Sequence, residues 1–304
     1  MSRICAVGAN VFDTLISVPH FPEEDTKLRG GEITQCGGGP CATGLVAAAK
    51  LGAECVFIGN LADDFGGVFL KADMEKYNIS TKYIDMLPGF SSFCSYIMIN
   101  EENASRTCVF NKGNVPETFL NDEKKAEIAA SDILMVDGND LEAAVCAAKH
   151  AGKFGTKVLY DAGGLYDGIE RLLPLADILI PSEEFALSHT GAKTAAEAAR
   201  KLKEMYDPEV VVITCGKDGG LLFDGGEIIE YPAFKVEAVD TNGAGDVFHG
   251  AFAYAAAAGF DYYKCCVFSS AVSAIKCTGT GARRSAPGYE TVKNFLKERG
   301  YDEF

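Results

Sequence analysis

Short apolar runs alternate with amphipathic helical patterns along most of this 304-residue chain, and that alternation narrows the fold more than any other feature. Runs at 3–7, 54–58, 133–136, 157–160, 177–180 and 210–214 are short and bounded by turn residues, and they read as buried strands. Between them, the spacing of apolar residues predicts helices at 41–51, 65–77, 141–151 and 195–205. Gly52, Asn78 and Gly152 follow three of these as left-handed stops. After Asp246 the pattern turns almost wholly helical, at roughly 246–258, 261–277 and 289–299. Strands that alternate with helices predict a mostly parallel sheet covered on both faces, a three-layer α/β/α arrangement. No repeat, low-complexity tract or flexible linker divides residues 1–304, so a single domain is expected.

Two regions break the alternation. Residues 13–35 and 91–112 carry period-2 patterns, such as Phe93-Cys94-Ser95-Tyr96-Ile97-Met98-Ile99, far from the turns of the βαβ units. They read either as solvent-exposed hairpins or as strands projecting from the sheet edge to form a small β lid. A lid of this kind leaves strand edges and an apolar face, expected at Phe93, Tyr96, Met98, Val109 and Phe110. Such edges invite pairing with a second copy, and a homodimer packed lid to lid would cover them.

Charge and cysteine content exclude several classes. With 43 acidic and 28 basic residues the net charge is −15, a surface that repels nucleic acids and anionic membranes. An anionic ligand therefore needs a locally arranged pocket and a cation. Eleven Cys without a C-x-x-C pair read as small buried hydrophobes in a reducing compartment. The first apolar run stops at Gly8, too short for a signal peptide, and 251–260 is too short to span a bilayer. A soluble cytoplasmic protein is expected.

The run Asp240-Thr241-Asn242-Gly243-Ala244-Gly245-Asp246 feeds an apolar helical stretch. A helix start offers unpaired N–H groups and partial positive charge, and glycines let a phosphate approach closely. Asp246 would then stand where a carboxylate can take a proton from an attacking hydroxyl; it also fits as a favourable first-turn charge. Gly37-Gly38-Gly39-Pro40 precedes the helix at 41–51 and suits either close ligand approach or a tight turn. Asn10 and Asp13 follow the first strand, where open sheets bind ligands, although loop capping accounts for them equally well. No G-x-x-x-x-G-K-[ST], H-E-x-x-H or G-x-S-x-G occurs. His249, one turn after Asp246, is expected to pack beside the site.

Two long signatures about 200 residues apart carry a resemblance. Gly37-Gly38-Gly39-Pro40-Cys41-Ala42-Thr43 leading to Lys50-Leu51-Gly52, and Val239 through Gly250, are similar to those of the PfkB, or ribokinase-like, carbohydrate kinases, closest in pattern to ketohexokinases and fructokinases. The resemblance spans the chain and implies a ribokinase-like α/β fold with a β-sheet lid, and ATP-dependent phosphorylation of a small unphosphorylated ketose or pentose. It implies Asp246 as catalytic base and Gly243, Ala244 and Gly245 as the anion hole. Asn10, Asp13, Gly38, Gly39, Thr43 and Arg106 fall at the sugar, and Thr214, Gly216, Gly219 and Ser270 at the nucleotide. Asp240, Gly281 and Ser285 resemble a monovalent-cation site of the kind that holds K+ in several members. Mg2+ is implied with ATP, and Glu183 and Glu184 stand where a segment organises its water. Three departures stand out. Thr43 replaces an Asn of the first signature, Ser182-Glu183-Glu184-Phe185 replaces N-x-x-E, and Asp161-Ala162-Gly163-Gly164-Leu165 lacks the Arg of sugar-phosphate kinases. A nucleoside kinase with an aromatic slot at Phe93, Tyr96 and Phe110, and a catalytically weak sugar- or nucleotide-binding protein, are the alternatives.

Overall fold

The computed structural model describes residues 2–103 and 105–304; Ala104, within the expected 91–112 lid segment, and Met1 lie outside the described residues. In chain order the strands are β1 Arg3–Val7, β2 Val11–Val18, β3 Ile33–Gly38, β4 Glu54–Ala62, β5 Ser80–Leu87, β6 Cys94–Asn100 and β7 Arg106–Asn111. They continue as β8 Ile133–Val136, β9 Lys157–Ala162, β10 Ile178–Pro181, β11 Val210–Thr214, β12 Gly220–Phe223 and β13 Ile229–Tyr231. The α-helices are α1 Pro40–Leu51, α2 Phe65–Lys76, α3 Asp122–Ala129, α4 Leu141–Phe154 and α5 Glu183–Thr190. The rest are α6 Ala195–Tyr206, α7 Ala244–Ala257, α8 Tyr262–Cys277, α9 Ala282–Ser285 and α10 Tyr289–Lys297.

Nine strands form one sheet in the order β13-β12-β11-β10-β9-β8-β1-β4-β5. All its pairs are parallel except the β11–β12 and β12–β13 edge. Successive residues of a strand serve opposite cores, as the pleat requires. Ile4 and Ala6 of β1 join Ile133 and Met135 of β8 against α1, α7 and α8, whereas Cys5, Val7, Leu134 and Val136 join α4 and α6. Helices α1 and α7 cross at Gly44 and Gly250, where a Cβ on Gly250 would collide with the Gly44 backbone. That close crossing carries Asp246, in the first turn of α7, to the start of α1.

The second sheet, β3-β2-β6-β7, is the expected lid. Its registers pair Ser95 with Phe110 and Tyr96 with Val109, so alternation separates residues expected on one face. Asp13, Ser95, Ile97, Cys108 and Phe110 look into a cavity beside the main sheet, and Phe93 lines it with them. Tyr96, Met98 and Val109 take the outer face together with Ile16 and Ile33.

Most boundaries follow the sequence pattern, and the departures have local causes. Helix α4 runs through Gly152 to Phe154, because the left-handed stop is Gly155 (φ 80°). Asp177 precedes β10, its carboxylate accepting from Val158 N at 2.7 Å. Gly52 and Asn78 do take left-handed backbone after α1 and α2.

Candidate active site

A cavity of about 210 Å3 opens between the lid and the carboxyl end of the main sheet. It brings Asp13, Gly38, Gly39 and Thr43 from the first part of the chain together with Gly243 and Asp246 from the last. An adjoining space of about 170 Å3 holds Asn10, and Lys112 and Asn139 line both.

The helix start at α7 has the geometry of an anion site. Gly243 caps it with φ 72°, a left-handed conformation suited to glycine. A Cβ there would also meet Ala282. Val247 N makes the first helical bond, to Gly243 O at 3.0 Å, while Ala244 N turns to Thr241 O at 3.2 Å. The N–H groups of Gly245 and Asp246 precede that first bond and have no acceptor within the helix. A Cβ on Gly245 would meet nothing within 4 Å, so no protein atom crowds this first turn.

Asp246 lines the cavity, its carboxyl raised above the ordinary value by desolvation and by nearby Asp137, against the pull of His249, Arg106 and Arg283. A raised carboxyl is a better proton acceptor, the property a general base needs. His249 packs beneath it as expected: Nδ1 is 2.6 Å from Gly245 O and Nε2 is 2.9 Å from Ile180 O. Asp161 Oδ2 lies 3.2 Å from Nδ1 and has no hydrogen-bond partner. Burial pushes the Asp161 carboxyl up to about 7.

On the lid side of the cavity, Asp13 Oδ1 accepts from Ser95 Oγ at 2.6 Å, and burial pushes its carboxyl up to about 6. Gly38 leaves room for that carboxylate, which a Cβ would strike, and Gly39 (φ 91°) turns the chain into α1. Sequence reasoning missed Arg283. It is 3% exposed, and its Nη2 donates to Asn10 Oδ1 at 2.9 Å and to Gly38 O at 2.6 Å. Nη1 pairs with Asp73 at 2.7 Å, and Nε reaches Thr43 Oγ1 at 3.5 Å. Asp137, also missed, accepts from Ala9 N at 2.8 Å and Cys41 N at 3.1 Å, joining the end of β1 to α1. Its place just after β8 was the available signal.

The remaining expected residues are spread around this centre. Arg106 comes off the lid and reaches Thr241 Oγ1 at 3.5 Å, the far edge of hydrogen-bond range. Thr214 ends β11, Gly216 and Gly219 bound the following turn, and Ser182 bridges to Thr214. The Ser270 hydroxyl is committed to Pro232 O at 2.6 Å. Glu183 and Glu184 are exposed in the first turn of α5. Among the described residues no group of three or more His, Cys, Asp or Glu side chains is placed to hold a metal ion. Asp240 Oδ2 accepts from Gly281 N at 2.8 Å, Ser285 Oγ donates to Thr280 O at 2.8 Å, and a lysine ammonium, that of Lys276, stands beside Asp240. No helix among the described residues is long and apolar enough to cross a membrane.

Known proteins match this chain over almost its whole length. The ribokinase of Haemophilus influenzae is 29% identical over 301 residues, 97% of this chain and 98% of its own. The solved ribokinase of Thermotoga maritima has a TM-score of 0.85 at 28% identity, covering 98% of this chain and 100% of its own. The Arabidopsis thaliana ribokinase, solved in complex with ribose and ATP, shares the fold with a TM-score of 0.87 at 23% identity, covering 98% and 99%. Ketohexokinase and fructokinase match at similar identity. The sequence pattern described for pfkB family carbohydrate kinases matches residues 1–288, and with both signatures converging on one cavity this chain belongs to the PfkB family and is a carbohydrate kinase.

Proposed function

We propose that this kinase transfers the γ-phosphoryl group of ATP to a hydroxyl of a small unphosphorylated ketose or pentose. One observation carries the reading: Asp246, beside the open N–H groups of α7, faces the same cavity as Asp13. Asp13, Asn10, Gly38, Gly39 and Thr43 would hold the sugar hydroxyls. Asp246 would accept the proton of the attacking hydroxyl as its oxygen bonds to phosphorus and the bond to the ADP oxygen breaks. The N–H groups of Gly245 and Asp246 would take up charge on the transferred group. Thr214, Gly216, Gly219 and Ser270 would border the nucleotide, and Arg106 would close the lid over the anion hole. Mg2+, arriving with ATP, would supply charge neutralisation on the phosphates, and Glu183 and Glu184, which follow the Ser182–Thr214 bridge, would be the residues to order its water. The lid would exclude water so that the sugar is the acceptor.

ADP formation from MgATP across ketoses, pentoses, sugar acids and nucleosides tests the reading, with Asp246→Asn as the control. A ketose or pentose should be the best substrate, and Asp246→Asn should lower kcat by about 10²–10⁴ while ATP still binds. Phe93 and Phe110 lining the cavity give a nucleoside kinase its one structural argument, and preference for nucleosides would select it. No turnover with any acceptor would leave a binding protein.

A further inference from the structure

Lys276 carries a charge that phosphoryl transfer as derived above does not use. It lies in the last turn of α8 with no exposed surface, and a lysine is almost never fully buried unless paired. Its Nζ donates to the main-chain oxygen of Asp240 at 2.6 Å and stands 3.6 Å from Asp240 Oδ2. Asp240 Oδ1 accepts from Asn242 N at 2.8 Å, and Oδ2 from Gly281 N at 2.8 Å. Val239 N and Asp240 N both donate to Cys277 O, at 2.8 and 3.1 Å. The loop that delivers Gly243 to the helix start is thus clamped between a carboxylate and a helix C-terminus, both negative. The positive charge set against the clamp is the Lys276 ammonium.

Asp240 is one of the residues expected around a monovalent cation, with Gly281 and Ser285. A free ion would need them turned toward itself, but the Asp240 carbonyl is turned to Lys276, and the charge of Arg106 also acts on this position. A second cation would meet repulsion from both. We infer that Lys276 replaces the monovalent cation, so that its ammonium holds the 239–243 loop in phosphate-binding shape and the enzyme works without K+. The kinetic half of the test rests on the sugar-kinase reading; the melting half does not.

The full-length protein, Lys276→Met and Lys276→Arg are compared in KCl and in tetramethylammonium chloride at equal ionic strength, by turnover and by thermal midpoint. The wild type should turn over within about twofold in the two salts, with the same midpoint, since no ion binds the folded state preferentially. Lys276→Met should lose about tenfold or more in tetramethylammonium, about 1.4 kcal/mol of barrier, and KCl should restore turnover and raise the midpoint. Lys276→Arg should stay indifferent to the salt. A wild type stimulated about tenfold by KCl, or a folded Lys276→Met with wild-type turnover in both salts, overturns the inference. Should Lys276→Met fold in neither salt, the salt response of the wild type and of Lys276→Arg decides. Should no sugar be phosphorylated, the proposed function fails, and the midpoints still report whether K+ binds.

Discussion

Arg283 Nη2 donates to the side-chain oxygen of Asn10 at 2.9 Å, aiming an amide at the end of the first strand from 273 positions away. The same guanidinium holds Gly38 O and pairs with Asp73, so it ties together the β1 end, the turn into α1, and α2. Its neighbours in the chain, Gly281 and Ala282, touch Asp240 and the position of a Gly243 Cβ. One short segment therefore contacts the loop before α7 and the residues around Asn10 and Gly38 in successive residues.

Replacing Arg283 should therefore separate binding from folding. Arg283→Lys keeps the charge near Asp73 but loses the planar fork that reaches two oxygens at once. Sugar KM should rise about tenfold while ATP KM changes much less, one charge-assisted hydrogen bond being worth about 1.5–3 kcal/mol. Arg283→Met, which leaves buried oxygens and Asp73 unpaired, should cost about 3–5 kcal/mol of stability. Steady-state kinetics with both substrates and denaturant melts check this; equal effects of Arg283→Lys on both KM values would refute it.

Asp13 predicts a pH dependence. Burial is the main cause of its carboxyl standing at about 6, opposed by Ser95 and Arg283 and aided by Asp246. The folded protein then keeps a proton that the unfolded chain releases at its ordinary value near 3.8. Asp13's contribution to stability is full below that value and is lost as pH rises through about 6. Sugar binding runs the other way if the hydroxyls are held by the carboxylate. Sugar KM should climb as pH falls below about 6, approaching tenfold per unit, with ATP KM nearly flat. Asp13→Asn should raise sugar KM and flatten the profile. A wild-type sugar KM constant between pH 5 and 7 would remove Asp13 from this role.

What the sequence could reveal depended on how local each cause is. Strand β1 was legible to the residue because Ile4, Cys5, Ala6 and Val7 are apolar on both faces of a buried parallel strand. The α7 start was legible because glycines and an acid at a helix entrance are a local signal. The end of α4 was not, since Gly152 and Gly155 offer the same stop and the left-handed turn falls at the second of them. Phe110 was assigned to the wrong face of the lid because its direction depends on the register with Ser95. Arg283 and Lys276 left no trace as site residues, for their partners come from distant segments.

Two glycines at the start of α7, proposed to bind the phosphate, should respond differently to a methyl group. Gly243→Ala places a side chain at φ 72° and against Ala282, so it should destabilise the fold by about 1–3 kcal/mol. Gly245→Ala meets no protein atom, so the melting midpoint should hold or rise slightly. Its cost should appear with the nucleotide: the methyl intrudes where the phosphate approaches, and kcat/KM for ATP should drop about 10²-fold, the scale of one lost oxyanion donor. Equal loss of stability in both variants would deny that this space is reserved for a ligand.

The lid supplies the last prediction. Ile33, Tyr96 and Val109 are 63, 62 and 61% exposed, and the strand registers place them on the same outer face as Ile16 and Met98. An apolar face of that kind on a small sheet calls for a partner, and a second copy packed face to face through a two-fold axis covers both at once. The inner face would be unaffected directly, because Asp13, Ser95 and Phe110 point the other way. Tyr96→Lys with Val109→Glu should therefore convert a dimer into a monomer in light scattering while the main sheet stays folded. Sugar KM should rise with dissociation, since the lid loses the support that holds Asp13 and Arg106 over the cavity. A wild type that remains monomeric at every usable concentration and still turns over would show that the outer face needs no partner.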